Sequence, residues 1–257
     1  MRPVLEHRWD LTPREAFALQ RELSARVRVS GHPPSEPFLV AGCDAAGSGR
    51  WSRRDEQITA CVIVFRFPSW EIVDRTWARG PSPFPYVPGL LSFREAPLYI
   101  EAFAKLRVRP DIVIYDGQGI AHPRGLGLAS HLGVFFDLPT VGAAKSRLIG
   151  THREPGSARG CSARLMHDGR VMGRVVRTQT GVKPLYVSPG HRIGIEEAAS
   201  LVLRLAPRYR LPEPTRQADR WVRELSRPSV RVVNCGTKIS QVVFPSSVPG
   251  YGALCST

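Results

Sequence analysis

Hydrophobic residues enter this chain in two kinds of run. Ala16, Leu19, Leu23 and Val27 recur at helical spacing behind Thr12-Pro13-Arg14-Glu15, a capping box with proline at the first helical position, and predict a helix over about 13–28. Other runs are short and unbroken. Phe38-Leu39-Val40-Ala41-Gly42-Cys43 and Ile112-Val113-Ile114-Tyr115 carry no charge, so the spans of about 38–44 and 111–116 read as strands buried on both faces. Ile58 to Phe67 and Glu71 to Ala78, separated by Pro68-Ser69, predict a hairpin beside the first strand. Gly80 to Gly89 holds four prolines and reads as irregular.

Ser92 opens a predicted helix running to about Arg107, glycine-rich 117–127 leads into another near 126–136, and Pro139 to Ala143 reads as a short strand. The span 150–170, rich in Arg and Gly, is expected to be looped, with strands at Val171–Thr178 and Leu185–Ser188. Helices are predicted over about 195–205 and 214–227, the second opened by Pro212-Glu213-Pro214. Three antiparallel strands followed by alternating helix and strand describe an α/β fold, a mixed sheet flanked by helices. Residues 229–257 lack sustained periodicity and are expected to be a poorly ordered tail, with Val230–Val233 and Gln241–Phe244 as candidate edge strands.

Composition narrows the partners. Thirty-six Lys and Arg against 22 Asp and Glu leave a formal charge of +14, which favours a polyanion such as nucleic acid, although an arginine excess also follows from codon bias. The five cysteines have no C-x-x-C spacing, which argues against a zinc site or a disulfide framework. No apolar stretch approaches a membrane span, and the N-terminus, with Glu6, His7 and Asp10, lacks an apolar leader. A soluble, reduced, cytoplasmic monomer is expected.

The chemistry concentrates in acidic residues. Asp44 and Asp116 each end a buried apolar run, where a carboxylate is costly unless a cation meets it. An aspartate after a strand is often only a turn or cap residue. Two on adjacent strands would instead share one sheet edge and suit a divalent metal. Glu95, in Ser92-Phe93-Arg94-Glu95, is either the reciprocal member of a capping box with Ser92 as N-cap or a third carboxylate. Asp219 is either on a solvated helix face or a fourth. Magnesium takes oxygen ligands and keeps several waters, and two ions about 4 Å apart can activate water and stabilise a leaving oxygen.

Four longer motifs stand in order: Pro85-Tyr86-Val87-Pro88-Gly89-Leu90-Leu91-Ser92-Phe93-Arg94-Glu95, Asp116-Gly117-Gln118-Gly119-Ile120-Ala121-His122-Pro123-Arg124, Val141-Gly142-Ala143-Ala144-Lys145 and Leu211-Pro212-Glu213-Pro214-Thr215-Arg216. Together, over roughly residues 10–228, the chain resembles the endonuclease V family, the deoxyinosine-directed nucleases. The resemblance implies a ribonuclease H-like fold, a catalytic domain over 1–228 and a Mg²⁺ requirement that Mn²⁺ can meet. It also implies cleavage of the second phosphodiester 3′ to a hypoxanthine base, an entry into DNA repair. Asp44, Asp116, Glu95 and Asp219 match metal positions, Glu95 being the catalytic glutamate. Lys145 matches a lysine beside the scissile phosphate, and His122 a position near metals and phosphate.

Tyr86 matches an aromatic wedge, which the flanking prolines present stiffly so that its ring can replace an extruded base. Gly89, Leu91, Gly117 and Leu128 match the base pocket. Hypoxanthine carries a 6-oxo group where adenine carries an amine, so backbone N–H donors can tell them apart. Any one residue has a plainer reading: a surface tyrosine, a surface lysine, a loop histidine with a structural hydrogen bond. His191 lies in a family-like stretch and has no catalytic assignment. Gln118 departs from the family, which often has His or Asn there, and the tail matches nothing in it. Two rivals remain: the same nuclease acting on inosine-containing RNA, and a module that binds edited nucleic acid without cutting.

Overall fold

The computed structural model describes residues 1–47 and 57–226. Its centre is an eight-stranded sheet of β1 (Phe38–Gly47), β2 (Gln57–Phe67), β3 (Glu71–Pro81), β4 (Ile112–Tyr115), β5 (Thr140–Ala144), β6 (Ser162–His167), β7 (Arg170–Val176) and β8 (Leu185–His191). The strand order is β3-β2-β1-β4-β5-β8-β7-β6. β1 pairs antiparallel with β2 and parallel with β4, and β4 pairs parallel with β5. An antiparallel meander of β8, β7 and β6 then extends the sheet. The helices are α1 (Pro13–Ser24), α2 (Leu91–Ala104), α3 (Leu128–Phe136), α4 (Ile195–Leu205) and α5 (Glu213–Ser226). Among the described residues, no helix is long and apolar enough to cross a membrane.

The two main apolar clusters among the described residues lie on opposite sheet faces because alternate strand residues face opposite ways. Ala41, Cys43, Val62, Val113 and Tyr115 pack under α2 and α3. Val40, Ile63, Ile112, Ile114 and Val141 pack under α4 on the other face. α5 lies against β1, where Gly42 is decisive: a Cβ there would come within 2.1 Å of the Pro214 backbone, so only glycine admits the helix this closely.

Three expectations change. α1 ends at Ser24, not near 28, because the Arg28 N–H is drawn out to His191 Nδ1 at 3.2 Å and its carbonyl accepts from Arg192 N–H at 2.7 Å. Part of 150–170 is strand: β6 and β7 form a hairpin across Asp168-Gly169, whose φ values of 48° and 71° suit a two-residue turn. Ser92 is not an N-cap. α2 begins after Leu90 with no side-chain cap, and Ser92 is a buried first-turn residue whose hydroxyl meets His131 Nδ1 at 2.9 Å. The candidate tail strands fall in 227–257, outside the described residues.

Candidate active site

The site forms where strand pairing divides. Parallel pairing of β1 with β4 stops at Cys43–Tyr115, while antiparallel pairing of β1 with β2 runs on to Gly47–Ile58. Asp44, the next residue of β1, and Asp116, the first residue past β4, follow at the opening, where Asp116 N–H reaches Cys43 O at 3.4 Å. Both fall on the parity of Gly42 and Ile114, hence on the α5 face. α5, admitted by Gly42, supplies Asp219. One carboxylate oxygen from each of Asp44, Asp116 and Asp219 lies within 4.8 Å of the others.

Lys145, one residue past β5, meets this cluster. Its Nζ bonds Asp116 Oδ2 and sits 3.0 Å from Asp219 Oδ1, while Arg223 holds the same Asp219 oxygen at 2.9 Å. The Asp44 carboxyl is pushed up to about 7, first by burial and then by Asp116, against the pull of Lys145. Burial of the Lys145 ammonium would lower its pKa, but the bonds to Asp116 and Asp219 outweigh that and raise it. The arrangement gathers three carboxylates against Lys145 and Arg223, and its oxygens are the donor set a hard divalent ion takes.

Glu95 stands outside the 4.8 Å cluster. It rises from α2 on the opposite sheet face, and its charge, with that of Asp44, bears on the buried Tyr99 hydroxyl, whose pKa burial raises most.

Beside Asp116 and Lys145 opens a cavity of about 410 Å³ that brings together Tyr86, Gly89, Leu91, Gly117 and Leu128. Tyr86 is 50% exposed at its rim, and Leu148 is 46% exposed. The N-terminus of α2 faces it without a side-chain cap among the described residues. Gln118 takes a place in the wall, its Nε2 donating to Ser146 O at 2.9 Å and so tying the Asp116 loop to the Lys145 loop.

His122 lines the same cavity but is committed elsewhere. Its Nε2 donates to Gly89 O at 2.9 Å and its Nδ1 accepts from Arg124 N–H at 3.3 Å, which specifies one neutral tautomer. Burial, then the Arg124 charge, lowers its pKa to about 4. Gln20 and Arg124, which the sequence reading did not single out, converge on the same carbonyl at 3.0 Å each. The available signal for Gln20 was a polar residue on the apolar face of α1, four residues after Ala16.

The endonuclease V family model matches residues 21–220. The chain belongs to the endonuclease V family. An endonuclease V of Nostoc sp. is 47% identical over 216 residues, covering 83% of this chain and 95% of that protein. The crystal structure of the Streptomyces avermitilis endonuclease V superposes with a TM-score of 0.79 at 41% identity, covering 84% and 94% of the two chains. A Ciona intestinalis endonuclease V, crystallised with a 23mer DNA containing an inosine followed by a ribo-adenosine, matches with a TM-score of 0.73 at 26% identity over 84% of this chain and 98% of that one. The protein is thus a nuclease with the ribonuclease H-like sheet of its family, as the motifs implied.

Proposed function

We propose that this endonuclease V nicks DNA at the second phosphodiester 3′ to a deoxyinosine, with Mg²⁺ or Mn²⁺ held by its carboxylates, and so opens repair of deaminated adenine. The observation that carries the reading is the convergence of Asp44, Asp116 and Asp219 beside a cavity rimmed by Tyr86. Those three side chains would hold the ion, with Glu95 completing the shell from the α2 side. The ion supplies Lewis-acid stabilisation of the charge that develops on the phosphodiester.

The chain's own groups do the rest. Glu95 orients the attacking water, accepting its hydrogen bond. Lys145, kept protonated by the aspartates, donates from Nζ to a phosphate oxygen, stabilising added negative charge. Tyr86 fills the gap left in the stack while the extruded base enters the cavity. There, N–H groups near Gly89 and Leu91 meet the 6-oxo acceptor of hypoxanthine, the Gly117 N–H being bonded to Tyr115 O at 3.0 Å. Adenine offers a donor at that position, so two donors would oppose each other and both would be left unpaired. His122 acts by holding Gly89. The catalytic unit is assigned to 1–228, working as a cytoplasmic monomer.

The test is a labelled single-inosine duplex incubated with and without Mg²⁺. The reading expects one metal-dependent nick at the second phosphodiester 3′ to inosine. Binding without cleavage would favour the non-cleaving module. The inosine–ribo-adenosine junction in the Ciona complex favours a second reading, action on inosine in RNA. A substrate pair differing only in the sugar 3′ to inosine separates the two.

A further inference from the structure

Three hydrogen-bond donors meet at one backbone oxygen. The Gly89 carbonyl accepts from His122 Nε2 at 2.9 Å, Gln20 Nε2 at 3.0 Å and Arg124 Nη2 at 3.0 Å, although a carbonyl offers two lone pairs. Gly89 has φ of +79°, and a Cβ there would lie 2.6 Å from Arg124 Nη2, so the residue must be glycine for the donors to reach it. The oxygen belongs to the loop that carries Tyr86 and forms one wall of the cavity.

Gln20 does more than share this oxygen. The same Nε2 donates to Leu126 O at 3.2 Å, in the loop that leads into Gly127 and Leu128, a second wall of the cavity. Its Oε1 accepts from Arg124 Nε. These partners admit one amide orientation, because a flipped amide would set oxygen against two carbonyls and nitrogen against a guanidinium. Gln20 is fully buried, and Arg124 lies over the Phe17 ring at 4.3 Å, so α1 grips both ends of the network. A single NH₂ group therefore spans the two walls at hydrogen-bond length.

We propose that Gln20 is a positioning residue for base selection: its amide sets the separation of the Gly89 and Leu126–Leu128 walls, and with it the fit of the extruded base. The inference deepens the function proposed above and rests on it. Gln20 touches neither the carboxylates nor the phosphate-facing Lys145. Its loss should therefore be felt in selection and not in metal binding.

Gln20→Glu is nearly isosteric and keeps an acceptor for Arg124 while removing both donors. Single-turnover cleavage of inosine and adenine strands by wild type and Q20E, with Mn²⁺ binding measured by calorimetry, tests the proposal. The ratio of inosine to adenine cleavage should fall about tenfold or more, the scale of one buried hydrogen bond lost, with Mn²⁺ affinity unchanged. Gln20→Asn, whose shorter amide cannot span both carbonyls, should lose selectivity similarly. If Q20E does not fold, Arg124→Lys, which releases the Gln20 amide to rotate, is read by the same ratio. A selective wild type with equally selective folded variants overturns this proposal alone. An equal loss on both strands assigns Gln20 a merely structural role and also overturns it. A wild type that does not prefer inosine overturns the proposed function and this inference together.

Discussion

Replacing Asp44 by Asn should stabilise the metal-free protein while abolishing cleavage. The Asp44 carboxyl is raised from 3.8 to about 7 by burial and by Asp116, so the folded state binds its proton more tightly than the unfolded chain does. Stability from this group is thus fully present below pH 3.8 and is lost as pH rises through 7, at about 1.4 kcal/mol per unit between them. The integrated cost is of order 4 kcal/mol at pH 8 and under about 2 kcal/mol at pH 5. Asparagine has nearly the same shape and no charge to desolvate. D44N should therefore melt about 10 °C above wild type in EDTA at pH 8, given roughly 2–4 °C per kcal/mol for a chain of this size. The gap should shrink toward pH 5. Adding Mg²⁺ should narrow it at pH 8, because binding to the native state stabilises wild type by about 2.7 kcal/mol at a hundred times Kd, while D44N lacks a ligand. Thermal melts of both proteins at the two pH values, with EDTA or Mg²⁺, read all of this. A D44N protein no more stable than wild type in EDTA at pH 8, or a gap that ignores pH, would refute the reasoning.

Other consequences are simpler to state. His131 is buried and neutral, bonded between Ser92 Oγ and His7 Nε2, and burial, followed by the neighbouring His7 and His122, lowers its pKa to about 3. Below pH 6.5 the unfolded chain binds a proton that the folded one refuses, so His131 should cost about 2 kcal/mol by pH 5, opposite in sign to Asp44. Urea titrations of H131Q should show a flatter acid limb than wild type; an unchanged limb counts against the assignment. Lys145→Met should slow single-turnover cleavage about a hundredfold with little change in inosine-strand binding, and equal losses in both would remove Lys145 from the chemistry. Tyr86→Ala should weaken binding of the inosine duplex while leaving Mn²⁺ affinity intact. Unchanged discrimination between inosine and adenine would end the wedge role.

The carboxylate pair was legible in the sequence because buried parallel strands announce themselves as unbroken apolar runs, and Asp44 and Asp116 punctuate two of them. Their adjacency follows from register, which places Cys43 opposite Tyr115. Local pattern left open which other carboxylate would join them, and the motif resemblance pointed to both Asp219 and Glu95. Asp219 is gathered with them because Gly42 lets α5 settle onto β1, whereas Glu95 comes from a helix on the other face. Sequence spacing carries no information about which sheet face a distant helix covers. β6 was missed, although β7 was expected at Val171–Thr178, because the Arg and Gly richness of 150–170 outweighed the Asp168-Gly169 turn signal. Ser92 looked like a cap because its local pattern is that of a cap, but a buried imidazole 39 residues away took its hydroxyl. Gln20, His122 and Arg124 meet at Gly89 only through tertiary packing, although a glutamine on the apolar stripe of α1 hinted at a buried polar duty.

The central claim is that Asp44, Asp116 and Asp219 hold a divalent ion. Titrating Mn²⁺ into the protein while following the free-ion paramagnetic resonance signal tests it most directly. Wild type should deplete free Mn²⁺ at pH 8, and do so less at pH 6 as Asp44 takes up a proton, while D116N should deplete none. Undiminished binding by D116N and by D44N would place the ion elsewhere and contradict the account.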